Sequence, residues 1–571
     1  MEDNITGLDT DNLSPSTACS NPVESPILFF LSFIFLNNLY NGEKIIFRDR
    51  RSGTMPVAQE TIQPNQSKEN KPSRGLFSTL LDFIEKTGNK LPDPVTLFVL
   101  FALVVLIISS IGAAAGWSAI NPATKEKVEV VSLLTAEGFQ NIMTNMVKNF
   151  AEFPPLGLVL VTMIGVGVAE GVGLISALLK KVVLATSPKL ITIAIVFSGI
   201  LANMAGDAGF IVLPPIAAMV FASVGRHPIA GMAAAYASVA GGFSANLIVN
   251  MLDALLAGFT QSSAQLVDSD FIANPAMNWY FLAASCLIIV PIAVFVTEKI
   301  VEPRLPVYTG PKMELTHLKP SESKGLKRAG IVTVLYLIAV GFTIIPEHAP
   351  LRGEDGAIIV SPFMNSLVPF IMGLFLLPAL FYGAATKELR SDKDVAQSMA
   401  KAMGTMGMYI VLAFFAAQFI TYFNWSNLGV IMAIQGADFL KNLGLTGLPL
   451  LIGFIAVSSL LNLFIGSASA KWAILGPVFV PMFMLLGYDP AFTQLAYRIG
   501  DSITNPITPM FAYFAILLAM AKKYDRNIGL GSLIAVMLPY TITFGAAWIL
   551  FFTAWYFLGL PLGPGAGVFL P

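Results

Sequence analysis

Long apolar runs separated by short polar stretches organise this chain. From residue 94 onward the runs recur regularly, and most match the roughly 20 helical residues that cross a hydrocarbon core. The pattern predicts full spans near 95–117, 156–179, 228–259, 278–300, 328–346, 362–384, 405–423, 490–521 and 531–557. Two stretches, about 190–224 and about 449–486, read differently. Each has two apolar arms of about 12–16 residues around a polar or small-residue centre, too short to cross unless paired as a re-entrant hairpin. A transmembrane barrel would show shorter, alternating segments. The fold class expected is an all-α polytopic membrane protein with nine transmembrane spans and two re-entrant hairpins per subunit.

Charge tests this layout. With the N-terminus inside, the loops assigned to the inner face carry 18 Lys and Arg, whereas the outer loops carry five: Lys125, Lys127, Lys148, Arg352 and Lys441. That asymmetry follows the positive-inside rule. Reading either hairpin as a full span would put Lys522, Lys523 and Arg526 outside. The layout leaves the N-terminus cytoplasmic and the C-terminus periplasmic, and it opens the first hairpin from the inside and the second from the outside.

An internal repeat accompanies it. LPPIAAMVFASVGRHP (213–228) aligns with LGPVFVPMFMLLGYDP (475–490), matching Pro215 with Pro477, Gly225 with Gly487 and Pro228 with Pro490. Asn203 and Asn462 open the two hairpin tips. Each hairpin leads into a segment interrupted in its middle, GGFSANLIVNMLD (241–253) and GDSITNPITPM (500–510). Two inverted halves, each with a broken hairpin and a broken helix, are the signature of a secondary transporter with a midplane site.

The first 93 residues stand apart. Residues 1–54 hold one ten-residue apolar stretch, ILFFLSFIFL, followed by the basic KIIFRDRR. They read as an upstream extension, with Met55 as the native initiator, and the competing reading is an interfacial anchor. Residues 55–93 read as a cytoplasmic N-terminal segment, and residues 94–571 as the transporter domain.

Composition narrows the function. The chain of 571 residues is 55% hydrophobic and 12% charged, about half the charged fraction of soluble domains. Its net charge of −1 offers no basic footprint for nucleic acid. The two cysteines cannot form a framework or a metal site, the three histidines are scattered, and no phosphate-binding GxxxxGK[ST] loop occurs. An intramembrane enzyme would need a nucleophile–base pair or a metal cluster in its spans, and a channel would need a continuous polar pore helix. An ion gradient, Na⁺ or H⁺, is the expected driving force, with no other cofactor.

Ionisable residues inside spans are costly and mark function. Arg498 and Asp501 lie three apart, on one helix face, just before the helix-breaking Asn505-Pro506 and Thr508-Pro509. Freed carbonyls with an Asp and an Asn suit a hard cation, and the guanidinium suits a carboxylate. A self-satisfied Arg–Asp pair is the structural alternative. Asn246, Asn250 and Asp253 fall at i, i+4 and i+7, a polar stripe expected to line the site. Asn203 and Asn246 are the choice for a first cation site. Asp207, in NMAGDAGF, reads equally as a helix cap or a functional group. Glu170 reads as packing or snorkelling ahead of a proton relay, and Trp279 and Trp425 as interfacial aromatics.

LPDPVTLF (91–98), NLFIGSASAKWA (462–473), GYDPAF (487–492), YRIGDSITNPITPM (497–510) and LPLGPGAG (560–567) together resemble the AbgT family of bacterial aminobenzoyl-glutamate transporters, from about residue 76 to the end. The resemblance implies a homodimer in the bacterial inner membrane. It also implies cation-coupled movement of p-aminobenzoyl-glutamate, p-aminobenzoate and the isosteric sulfonamides, as import or export. Matched by position, the substrate path falls on Asp253, Ser469, Trp472, Pro490, Arg498, Asp501 and Pro509. The sodium-site asparagine and aspartate fall on Asn462 and Asp501, beside Asn505. Trp472 would stack on an aryl ring and Arg498 would clamp its carboxylate. A same-fold transporter of another organic anion, such as a dicarboxylate, is the alternative, and Trp472 favours the aryl substrate. Lys471 shares the tip with Trp472 and is expected to point elsewhere, toward an acidic side chain or the outer mouth.

Overall fold

The computed structural model describes residues 92–120, 125–184, 186–203, 208–310, 318–353, 356–358, 361–509 and 511–570. The extension, Met55 and Asp207 lie outside them. The chain enters through α1 (Pro94–Ala114), capped by the Asp93 carboxylate on the Val95 amide. A small hairpin follows, β1 (Ser118–Ile120) with β2 (Lys127–Glu129), then α2 (Ala136–Ala151) and α3 (Pro154–Gly171). The expected span 156–179 ends early. Gly173 takes φ +81° and starts a separate amphipathic helix, α4 (Leu174–Leu184).

The stretch expected as the first hairpin comprises α5 (Ile191–Ala202) and α6 (Ala208–Ser223). α7 (Pro228–Ala240) and α8 (Met251–Ala264) flank an irregular stretch, 241–250. α9 (Trp279–Phe295) continues as a wide turn through Val301. α10 (Pro320–Phe342) packs against α11 (Leu367–Thr386), which packs against α3. The basic stretch 385–404, expected as a loop, contains α12 (Asp392–Gly404) with a Ser391–Asp394 capping box.

The second half runs α13 (Gly407–Trp425), α14 (Leu428–Asn442), α15 (Gly447–Asn462) and α16 (Ala468–Met484). α17 (Pro490–Thr504) passes into a 3₁₀ turn, Asn505–Ile507, before α18 (Ala512–Ala521) and α19 (Leu530–Leu558). Among the described residues, seven helical segments, one of them α2 together with α3, are long and apolar enough to cross a bilayer. Nine spans result if the sharply bent pairs α4 with α5 and α14 with α15 are each counted as one.

The internal repeat is visible in hydrogen bonds. At the end of α6, Arg226 N–H donates to Phe221 O while Gly225 sits at φ +77°. At the end of α16, Tyr488 N–H donates to Phe483 O while Gly487 sits at φ +89°. The next residue then caps the next helix in each half: His227 accepts from Ile229 N–H and Asp489 from Ala491 N–H. Pro228 and Pro490 occupy the first helical turn, where a missing amide costs nothing.

Helix contacts repeat as well. Gly199 of α5 leaves no room for a Cβ against Ser238 of α7, and Gly500 of α17 leaves none against Ser458 and the Ile455 carbonyl of α15. Small residues at such crossings let helices approach without a hydrophobic driving force. α7 and α17 are buried over their entire lengths, so the polar groups they carry face protein. The C-terminal segment closes over one end: Gly567 N–H donates to Asp489 Oδ2, and Tyr280 N–H to Leu562 O.

Candidate substrate and cation site

The two broken helices bring the site together, and each break has a local cause. Pro506 and Pro509 lack the amides that would continue α17, so its last carbonyls need other donors. The Asn462 amide, at the end of α15, supplies one. Its Nδ2 lies 2.7 Å from Asp501 O, 2.9 Å from Thr504 Oγ1 and 2.8 Å from Asn505 Oδ1. The first half repeats this bond at the same 39-residue separation, Asn203 Nδ2 donating to Gly242 O at 3.1 Å. The halves also interlock. Asn505 Nδ2 donates to Ala240 O, capping the end of α7 from the opposite half.

The polar stripe expected at Asn246, Asn250 and Asp253 does not exist as a helix face. The helix stops at Ala240 and resumes at Met251. Asn250 is instead the N-cap of α8 and Asp253 its third residue, joined in a reciprocal capping box. The free oxygen of that carboxylate, Asp253 Oδ1, meets Arg498 Nη1 at 2.5 Å, with both side chains buried. Arg498 Nε reaches Ser244 Oγ at 3.4 Å, and Ser502 Oγ donates to the same oxygen. Arg498 and Asp501 therefore do not pair with one another.

Asp501 pairs with Lys471, Nζ to Oδ1 at 2.5 Å, in a site where both are almost fully buried. The same ammonium donates to Asn462 Oδ1. Lys471 is thus the acidic-partner case foreseen for it and not a residue of the outer mouth. Trp472 is fully buried, its indole stacked on Tyr497 at 4.6 Å between centroids and 24° between planes. Its Nε1–H donates to Thr260 Oγ1 at 2.9 Å, and the Tyr497 hydroxyl donates to Ala468 O. Ser469 bonds Ser467 at the tip, Pro490 starts α17, and Pro509 follows the 3₁₀ turn.

Among the described residues, three buried polar atoms here have no hydrogen-bond partner: Asn203 Oδ1, Asn246 Oδ1 and Arg498 Nη2. Buried polar atoms are normally satisfied. Two orphan amide oxygens suit a hard cation, and an orphan guanidinium nitrogen suits an anion. Residues Met163, Val166, Glu170, Met251, Lys401 and Met406 line a cavity of about 410 Å³. It reaches Met251, one residue beyond the α8 cap, and places Glu170 at a cavity wall. Sequence reasoning missed Tyr497, Thr260, Ser244 and Ser502. It also read Trp279 as merely interfacial, whereas its Nε1–H holds Leu247 O in the α7–α8 break. Tyr497 and Ser502 carried a signal, by adjoining Arg498 and Asp501.

The AbgT putative transporter family model matches residues 79–570. The p-aminobenzoyl-glutamate transport protein of Escherichia coli strain K12 is 38% identical over 501 residues, covering 87% of this chain and 99% of its own. The crystal structure of the Alcanivorax borkumensis YdaH transporter matches at 40% identity and TM-score 0.79, covering 83% of this chain and all of the other. The structure of Neisseria gonorrhoeae MtrF, described as illuminating a class of antimetabolite efflux pumps, matches at 48% identity and TM-score 0.81, covering 85% of this chain and all of the other.

Proposed function

Because the chain belongs to the AbgT transporter family, and is a multi-pass membrane transporter and no enzyme, we propose that it moves p-aminobenzoyl-glutamate, p-aminobenzoate and similar aryl carboxylates by coupling to a cation gradient. The observation that carries this reading is Arg498. One guanidinium nitrogen is held by Asp253 while Nη2, buried, has no partner. A substrate carboxylate would complete it with a charge-assisted bond.

Substrate contacts are assigned to Asp253, Ser469, Trp472, Pro490, Arg498, Asp501 and Pro509. Trp472 stacks on Tyr497, the sequence neighbour of Arg498, and such an aromatic pair suits a flat aryl ring better than an aliphatic dicarboxylate. Cation ligands are assigned to Asn203 and Asn246 in one half; of the ligands expected in the other, Asn462 and Asp501 already accept from the Lys471 ammonium and Asn505 Oδ1 accepts from Asn462 Nδ2. The orphan oxygens of Asn203 and Asn246 support the first set. A bound Na⁺ would supply positive charge beside an anionic substrate in a medium of low dielectric. Sulfonamides, isosteric with p-aminobenzoate, belong to the same substrate class, and the antimetabolite efflux described for MtrF supports including them.

The topology proposed is nine spans and two re-entrant hairpins, in a homodimer of the bacterial inner membrane, with the N-terminus cytoplasmic and the C-terminus periplasmic. The lysine-bearing α12 borders the 410 Å³ cavity, which supports an opening on the cytoplasmic side. The test is uptake and efflux of labelled p-aminobenzoate and its glutamate conjugate in proteoliposomes under separate Na⁺ and H⁺ gradients. Gradient-driven flux is expected, and its absence for both compounds refutes the reading.

A further inference from the structure

Asn203 and Asn246 are 43 residues apart, and so are Asn462 and Asn505. The first asparagine of each pair ends the first arm of a hairpin and donates to a carbonyl 39 residues on. The two clusters are therefore the same device in two halves of a repeat, yet their oxygens differ. In the first half both side-chain oxygens are orphans. In the second, Asn462 Oδ1 accepts from the Lys471 ammonium and Asn505 Oδ1 accepts from Asn462 Nδ2. The helix that bears Lys471, α16, has α6 as its counterpart, and α6 (AGFIVLPPIAAMVFAS) carries no charged residue at all.

We propose that Lys471 is a tethered cation that fills the second of two repeat-related cation sites, so that free Na⁺ binds this chain at the Asn203–Asn246 site and is kept out of the Asn462–Asp501–Asn505 cluster. This rests on the reading of the chain as a cation-coupled transporter. The charges require it. Asp501 supplies one negative charge to a buried site, which one positive charge neutralises. An ammonium and a Na⁺ together would leave an uncompensated charge out of water, and neither would leave the carboxylate unpaired; both are heavily penalised. The tether settles which cation wins, because an attached group has an effective concentration that a free ion does not reach. Lys471 Nζ already takes the two oxygens, Asp501 Oδ1 and Asn462 Oδ1, that a Na⁺ would need first.

The test is the ²²Na⁺ binding stoichiometry of the purified full chain in lipid nanodiscs, read without transport. Lys471→Gln is expected to bind one more Na⁺ per chain than the wild type, and Lys471→Gln with Asp501→Asn to lose it again. Equal stoichiometry in wild type and Lys471→Gln overturns the proposal. If Lys471→Gln does not fold, Asp501→Asn alone decides. The wild-type count is expected to be unchanged, and the loss of one Na⁺ overturns the proposal. Na⁺ counts that behave as expected in a protein that moves no aryl carboxylate would refute the transport reading and leave this one standing.

Discussion

Arg498 and Asp253 lie 245 residues apart and meet at 2.5 Å, joining the broken helix of one half to the broken helix of the other. Asp253 is fixed by the cap of α8, and Arg498 sits in the middle of a fully buried α17. The pair is thus both a structural joint and, through the unpartnered Arg498 Nη2, a receptor for an anion. These two roles separate by mutation. Arg498→Met leaves Asp253 buried and alone, and should cost about 3–5 kcal/mol of stability. Adding Asp253→Asn should recover most of that in thermal unfolding while leaving p-aminobenzoate binding absent in an equilibrium assay. Binding retained in the double variant would remove Arg498 from the site.

The Lys471–Asp501 pair makes a parallel prediction on stability. Asp501→Ala strands the ammonium and should lower stability by about 3–5 kcal/mol. Combining it with Lys471→Met should restore the thermal midpoint toward wild type. A double variant no more stable than Asp501→Ala would mean that the two side chains act independently.

Trp472 fills the core as well as facing Tyr497. Trp472→Ala removes a fully buried indole and its hydrogen bond to Thr260 Oγ1, a change that typically costs about 3–5 kcal/mol. Trp472→Phe keeps a ring against Tyr497 and should stay folded. The Phe variant should bind p-aminobenzoate more weakly, by several-fold, and leave an aliphatic carboxylate's affinity unchanged. Calorimetry with both ligands checks this, and equal losses would contradict an aryl-stacking role.

The close helix crossings give a prediction with its own control. A Cβ on Gly500 would lie 2.5 Å from the Ile455 carbonyl oxygen, a backbone atom that cannot rotate away. Gly500→Ala should therefore destabilise the α15–α17 crossing by about 1–3 kcal/mol. Gly453, on the same helix α15, has nothing within 4 Å, and Gly453→Ala should be neutral or stabilising by up to about 1 kcal/mol. Thermal unfolding of both variants in detergent checks the pair.

Residues that membrane burial makes expensive were legible in the sequence. Asp253, Arg498 and Asp501 stand out because a charge within an apolar run needs a reason, and the breaks near 241–250 and 505–509 were marked by glycine and proline. What was not legible depended on the third dimension. Extending helical phase through Gly241 and Gly242 turned a cap into a stripe, because periodicity assumes the helix that those residues end. Arg498 and Asp501 share a face on paper, yet each is claimed by a partner from elsewhere, α8 or α16. The partner of Lys471 lies 30 residues away on the helix packed against its own, which no local spacing reveals. Amphipathic helices such as α4 and α12 escaped because they lack the long apolar run that marks a span.

The central claim is coupled transport of an aryl carboxylate. The most direct measurement is flux of labelled p-aminobenzoate and its glutamate conjugate into and out of proteoliposomes, with Na⁺ and H⁺ gradients imposed one at a time. The arrangement of Arg498, Trp472 and the paired asparagine clusters predicts flux that follows one of the two gradients and collapses in Arg498→Met with Asp253→Asn. Flux of neither compound under either gradient, in folded wild-type protein, would contradict it.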